Sequence, residues 1–246
     1  MKKNFKLTLE YDGTAYSGWQ VQNKSRTIQG EIENALSLML DQPIRICGSG
    51  RTDAGVHALA QVASFHACTS MGQSQLKKGL NSLLKGPIVI HECLEVDETF
   101  HARYNAREKE YHYFFLNREL PCAVGRDFVW HIRHPLKLTA MEECCGIITG
   151  THDFKAFEGA GSPRSTTVRT LFLAGFERTA KDRFYFKIRG NGFLRFMVRN
   201  IVGTLVLAGS GKITPVDFRK ILEGKDRSLA GPTAPAKGLF LMEVSY

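Results

Sequence analysis

The sequence predicts an α+β fold made of two similar halves in tandem, residues 1–104 and 105–246. Three observations predict it. Stretches that alternate apolar and polar residues are interleaved with stretches that carry apolar residues at helical spacing. The first half orders them β-α-β-β-α-β, the split βαβ arrangement. The second half repeats that order loosely.

In the first half, Phe5, Leu7, Leu9 and Tyr11 alternate with Lys6, Thr8 and Glu10, a half-buried strand that Asp12-Gly13 ends as a turn. Thr27 is placed to cap a helix with Ile28, Ile32, Ala35, Leu36 and Met39 on one stripe. Residues 44–47 read as a short strand, a glycine-rich loop follows, and residues 61–66 read as the next strand. Leu76, Leu80 and Leu83 mark a second helix, Gly86-Pro87 breaks it, and residues 88–96 form the fourth strand. In the second half, residues 110–116 are an aromatic-rich strand and Leu138, Met141, Cys145 and Ile148 a helical stripe. Residues 168–178 and 183–189 read as a strand pair, and a long helix is expected over about 193–208. Thr214-Pro215 opens a short helix, with Thr as cap and Pro at the first position. Residues 239–246 close the chain as a strand.

The 246 residues are 43% hydrophobic and 23% charged, which excludes whole-chain disorder and fibrous structure. The best apolar run, 201–208, is far short of the ~20 residues that cross a bilayer. The N-terminus lacks the apolar segment of a signal peptide, so a cytoplasmic protein without membrane contact is expected. Lys and Arg number 33 against 24 Asp and Glu, a net charge of +9 that favours a polyanionic partner, nucleic acid above all. The six cysteines form no Cys-x-x-Cys pair, so zinc-ribbon and thioredoxin readings fail; the expectation is small apolar filler in a reducing compartment. Gly211-Lys212 lacks the Ser/Thr of a phosphate loop, and Gly48-x-Gly50 lacks the third glycine of a dinucleotide loop. No metal or cofactor motif is left.

One constellation does carry chemistry. Gly48, Gly50 and Gly55 allow a tight path between two strands, and into the space above it the chain puts a carboxylate, Asp53, flanked by Arg51. The ordinary reading of a bare Thr-Asp-x-Gly is a turn Asp bonding its own backbone. Farther on, residues 193–203 are apolar nearly all round, which implies burial. On the expected helix Arg195 and Arg199 lie one turn apart; a buried guanidinium there demands a carboxylate or phosphate, Arg199 more than Arg195, which can snorkel. Tyr111, Tyr113 and Phe115 share one strand face, with Arg103, Arg107 and Lys109 near them in sequence. Arg183, Tyr185, Lys187 and Arg189 make a basic face opposite Phe184, Phe186 and Ile188, a plausible RNA track.

Together these residues resemble the bacterial tRNA pseudouridine synthase A (TruA) family. The matching segments are Glu10-Tyr11-Asp12-Gly13-Thr14, Gly18-Trp19-Gln20, Gly50-Arg51-Thr52-Asp53-Ala54-Gly55-Val56-His57, Phe100-His101-Ala102-Arg103, Tyr111-His112-Tyr113, Met197-Val198-Arg199-Asn200-Ile201-Val202-Gly203 and Gly238-Leu239-Phe240-Leu241. They span nearly the whole chain in the family's order, and the Arg-Thr-Asp-Ala-Gly-Val-His segment is the most specific. The resemblance implies two α/β plait-like, RRM-like halves whose sheets meet in one long mixed, largely antiparallel sheet, with a central basic cleft. It implies conversion of uridine to pseudouridine in the tRNA anticodon stem-loop, at positions 38, 39 and 40, by a homodimer that uses no cofactor. It implies Asp53 as catalytic carboxylate, Arg199 as its partner, Tyr111 against the uracil, Arg51 displacing the target nucleotide, and Leu241 or its neighbour Leu239 beneath the base. The rival class is a non-catalytic RNA-binding module or RNA chaperone of the same fold, which charge and aromatics explain equally well. A carboxylate-dependent nucleoside hydrolase would want a second carboxylate near Asp53 in sequence, and none is there.

Overall fold

The computed structural model describes residues 2–161 and 165–246. The chain divides into two compact units, Met1–Arg107 with Phe240–Tyr246, and Glu108–Leu239.

In the first unit, strand β1 (Lys2–Tyr11) runs antiparallel between β3 (His57–Cys68) and β4 (Ile88–Val96). The alternation of β1 becomes burial: Phe5, Leu7, Leu9 and Tyr11 face the core, and Phe5 stacks on its register partner Phe65 at 5.2 Å. The short β2 (Cys47–Gly48) pairs with β3 at Ser64 and Ala63. Of the expected strand at 44–47 only Cys47 pairs; Ile44 and Ile46 are buried without a ladder. The resulting order β4-β1-β3-β2, with two helices, is an α/β plait. The last strand, β10 (Leu239–Ser245), lies parallel to β3, with Phe240 opposite His57 and Leu241 opposite Ala58.

Helix α1 (Ile28–Leu40) starts where the Thr27 hydroxyl accepts the Gly30 N–H. It buries Ile28, Ile32, Ala35 and Leu36. Met39 is half-buried against Gly79 of α2 (Gln73–Leu83), where a Cβ would sit 2.3 Å from the sulfur. The α2 stripe is Leu76, Leu80 and Leu84; Leu83 points largely to water.

The second unit has the antiparallel order β5 (Glu108–Asn117), β9 (Arg183–Gly190), β8 (Val168–Arg178), β7 (Gly150–Asp153), with β6 (Trp130–Ile132) parallel to the end of β5. The register sets Tyr111 opposite Ile188, Tyr113 opposite Phe186 and Phe115 opposite Phe184, and all six are buried on one face. Helices α3 (Leu138–Ile148), α4 (Met197–Gly209) and α5 (Pro215–Gly224) complete the unit. Cys144 and Cys145 of α3 are both buried, as is Cys93 on β4, whereas Cys68 is exposed and is no filler.

The expected helix over 193–208 starts late. Phe196 takes φ 60°, ψ 0° and α4 begins at Met197, so Arg195 stands before the helix and not one turn below Arg199. The apolar run crosses this break without a Gly or Pro to mark it. A strap at residues 231–234 lies against α4 so closely that a Cβ on Gly203 would meet the Pro232 carbonyl at 1.7 Å. That approach explains the glycine in the 197–203 segment.

Candidate active site

Asp53 sits half-buried on the loop between β2 and β3, with Arg51 and Ala54 exposed on either side. The loop is braced from the flank by residues 12–19. Trp19 N–H donates to Thr52 O at 3.1 Å, and Gly18, at φ 91°, packs on the Thr52–Ala54 backbone where any side chain would collide. Gly48 lies under the Trp19 indole, with room for no more than a hydrogen. The loop then turns on itself through Val56 N–H to Asp53 O at 3.1 Å.

Beneath the loop lies a buried polar raft. The Tyr11 and Thr52 hydroxyls bond at 2.8 Å. The Gln61 carboxamide is 0% exposed; it donates to Gly50 O at 3.0 Å and accepts from the Ser49 hydroxyl at 2.7 Å and Val62 N–H at 3.1 Å. Burial pushes the Tyr11 phenol up to about 12, against the pull of its hydrogen bonds from Thr52 and Gln61, so it stays neutral at physiological pH. Next to the loop, His57 Nδ1 accepts the Gly13 N–H at 3.1 Å and lies 3.0 Å from Asp12 Oδ1, and its ring stacks on Phe240 at 4.5 Å.

The other candidates divide between the units. Leu241, 0% exposed, belongs to the first unit with Asp53 and Arg51; Leu239 is buried as well. Tyr111 and Arg199 belong to the second. Tyr111, 7% exposed, meets the Phe193 ring edge-on at 5.1 Å. Arg199 is the third residue of α4, half-buried, and its Nε–H donates to Ala234 O at 2.8 Å while Ala234 N–H returns a bond to Arg199 O at 3.1 Å. The strap that carries Ala234 is itself pinned. Asn200 Oδ1 accepts from Thr233 Oγ1 and from Arg227 Nη2, Thr204 Oγ1 accepts Gly231 N–H, and the Tyr113 hydroxyl donates to Pro235 O at 2.7 Å. Burial raises the Tyr113 phenol well above its ordinary value, opposed by the Arg199 charge. Two guanidiniums lie over the Phe196 ring, Arg195 at 4.6 Å and Arg199 at 5.2 Å from its centroid, and Arg195 donates to Ala160 O.

The basic face of β9 is not the free cationic track that its alternation suggests. Lys187 lies 3.3 Å from Glu110, Arg189 lies 3.4 Å from Glu108, and Glu110 also takes His112 at 2.9 Å. Tyr185 donates to Glu177 and stacks on His112 at 4.4 Å. Cross-strand pairing supplies these acids, and their effect is to neutralise Lys187 and Arg189. Sequence reading missed this compensation, the raft under the loop and the strap on α4. One signal for the raft was visible: Gln61 is a long polar side chain inside the largely apolar run 58–65.

A family model described as tRNA pseudouridine synthase matches residues 8–105 and 146–246. The chain is similar to tRNA pseudouridine synthase A of Thermoanaerobacter sp. (strain X514), 41% identical over 244 residues that cover 99% of this chain and 100% of that relative. It is similar to the Acetivibrio thermocellus protein of the same name, 44% identical with the same coverage, and to tRNA pseudouridine synthase A 1 of Desulfotalea psychrophila, 43% identical over 250 residues, 99% of this chain and 100% of that relative. Matched in both of its halves and aligned from end to end with these relatives, the chain belongs to the tRNA pseudouridine synthase family.

Proposed function

We propose that this isomerase acts on uridines 38, 39 and 40 of the tRNA anticodon stem-loop, with Asp53 as its catalytic carboxylate. The reaction breaks the N1–C1′ bond, turns the uracil, and joins C5 to C1′; the C5 proton leaves and N1 gains one. Nothing is oxidised and no group enters from outside, so no cofactor is required. The target base leaves its stack at a cost of a few kcal/mol. Asp53 then acts as nucleophile or general base on the flipped nucleoside. Arg199 is its guanidinium partner, holding the carboxylate ionised and directed. Tyr111 packs against the uracil and relays the C5 proton, Leu241 lies beneath the base, and Arg51 helps displace the target nucleotide.

The observation that carries this reading is the bracing of the Asp53 loop, by the Trp19 segment from the side and the Tyr11–Thr52–Gln61 raft from below. A carboxylate on a loop held this firmly, beside the exposed Arg51, suits chemistry on RNA, since binding phosphate alone gains nothing from it. The enzyme works in the cytoplasm as a homodimer in which one tRNA touches both subunits.

Incubation with unmodified tRNA and mapping of pseudouridine by chemical adduct tests the assignment. Asp53→Asn and Asp53→Ala should abolish isomerisation while tRNA affinity largely survives. Residual turnover in a clean Asp53→Ala preparation would refute the role of Asp53.

A further inference from the structure

Cations on this protein differ in whether a carboxylate meets them. Lys187 and Arg189 are each met by a glutamate of β5. In the first unit, Arg51 and Arg103 are exposed, and among the described residues neither has a carboxylate at ion-pair distance.

Next to Arg103 stands Tyr104, 76% exposed. Its ring is stacked on His101, with centroids 4.2 Å apart and planes at 27°, and the Arg103 guanidinium lies 5.8 Å from the ring centroid. The arrangement is held by hydrogen bonds within the turn and to its neighbours. His101 Nδ1 accepts the N–H groups of Arg103 and Tyr104 at 3.1 and 3.2 Å. His101 N–H donates to Asn105 Oδ1 at 2.7 Å, and Asn105 N–H returns a bond to His101 O at 3.1 Å. Ala102, between them, is fixed on both sides: its N–H donates to Ser64 Oγ, and its carbonyl accepts the Tyr246 hydroxyl at 2.7 Å.

A tyrosine kept in water on a rigid turn offers a π surface with little ordering entropy left to lose on binding. Its chain neighbours Arg103, Asn105 and Arg107 are exposed and polar, so the patch does not suit an apolar protein surface. An exposed ring with a guanidinium over it that no carboxylate among the described residues meets suits a base with its phosphate. We infer that Tyr104, backed by His101, is a stacking platform for one unpaired nucleotide of the RNA substrate, with Arg103 on the adjoining phosphate. The inference rests on the RNA-directed reading above and adds a contact outside the reacting centre.

The test is equilibrium binding of unmodified, in vitro transcribed tRNA, with pseudouridine formation assayed in the same preparations. Tyr104→Ala should weaken binding about 5-fold or more, the range of one lost base stack. Tyr104→Phe keeps the ring and should bind like the parent. Arg103→Gln should lower the slope of log affinity against log salt by about one. Thermal melts accompany each variant; if Tyr104→Ala melts early, Tyr104→Leu decides, because it keeps the bulk and removes the π face. Unchanged affinity in a folded Tyr104→Ala or Tyr104→Leu protein overturns the platform. A shift in sedimentation of the free protein with RNA affinity intact overturns it too, and makes the patch a contact between copies. If the parent forms no pseudouridine yet its tRNA binding depends on Tyr104, the proposed reaction fails and the platform stands.

Discussion

Gln61 joins two pieces of chain with one carboxamide: its own strand through Val62, and the loop ahead of Asp53 through Ser49 and Gly50. The side chain also reaches toward the Tyr11 hydroxyl at 3.4 Å. Leucine has similar volume and none of these bonds. Gln61→Leu removes one hydrogen bond each from the Gly50 carbonyl, the Ser49 hydroxyl and the Val62 N–H, at roughly 1–3 kcal/mol for a buried group that is left unsatisfied. The expected outcome is a loss of about 2–4 kcal/mol in urea unfolding, with some relaxation reducing the full sum. If the raft positions Asp53, kcat falls while KM for tRNA holds, because Gln61 lies under the loop and not on a binding surface. A variant with parental stability would show that the raft is dispensable. Arg199 shows the same logic in the second unit: Nε is aimed at Ala234 O, and a lysine has no second nitrogen to keep that bond while presenting its charge elsewhere.

At the scale of elements, the β5–β9 pair places His112 among groups that decide its charge. Glu110, Lys187, Glu177 and the Tyr185 ring and hydroxyl all face it. Burial holds the imidazole below its ordinary pKa of 6.5 in the folded chain, and the pull of Glu110 toward the protonated form does not reverse this. The unfolded chain therefore takes up a proton at a pH where the folded chain does not. This contribution to stability is complete above the unfolded value of about 6.5 and is lost as pH falls through it. Urea unfolding between about pH 7.5 and 5.5 should cost the parent more stability than His112→Gln, given the unfolded histidine pKa of about 6.5. Equal losses would mean that His112 titrates alike in both states. These two strands also show what sequence can and cannot tell. Their alternation was legible residue by residue, and so was the aromatic core face. The neutralising partners were not, because Glu108 and Glu110 meet Arg189 and Lys187 only through a pairing of strands far apart in the chain. Thr27 and Thr214 announced their helices, and the structure has both caps. Phe196 gave no warning of a helix start, since nothing in an apolar run distinguishes a left-handed residue. The strands Trp130–Ile132 and Gly150–Asp153 are too short to show a period at all.

For the whole molecule, the charge of +9 is a long-range property that single contacts do not replace. Affinity for tRNA should fall steeply with salt, by orders of magnitude between about 50 and 200 mM if several phosphates are engaged. An affinity that does not change over that range would mean that the excess of Lys and Arg serves something other than this substrate. The loop sequence around Asp53 carried the family, and with it the reaction, because few local sequences combine three glycines, a carboxylate and a cation so tightly. Its supports were less visible, for they come from Trp19, Tyr11 and Gln61, separated along the chain and joined only by folding.

Phe240 is the register partner of His57, and Leu241 of Ala58. During synthesis residues 59–239 have to follow before Phe240 and Leu241 can meet that part of β3 on its second side. Until then a nascent chain carries an open backbone edge directly after the Asp53 loop, capable of pairing with another copy. Prematurely released product is therefore the form of this enzyme most exposed to aggregation and to quality control.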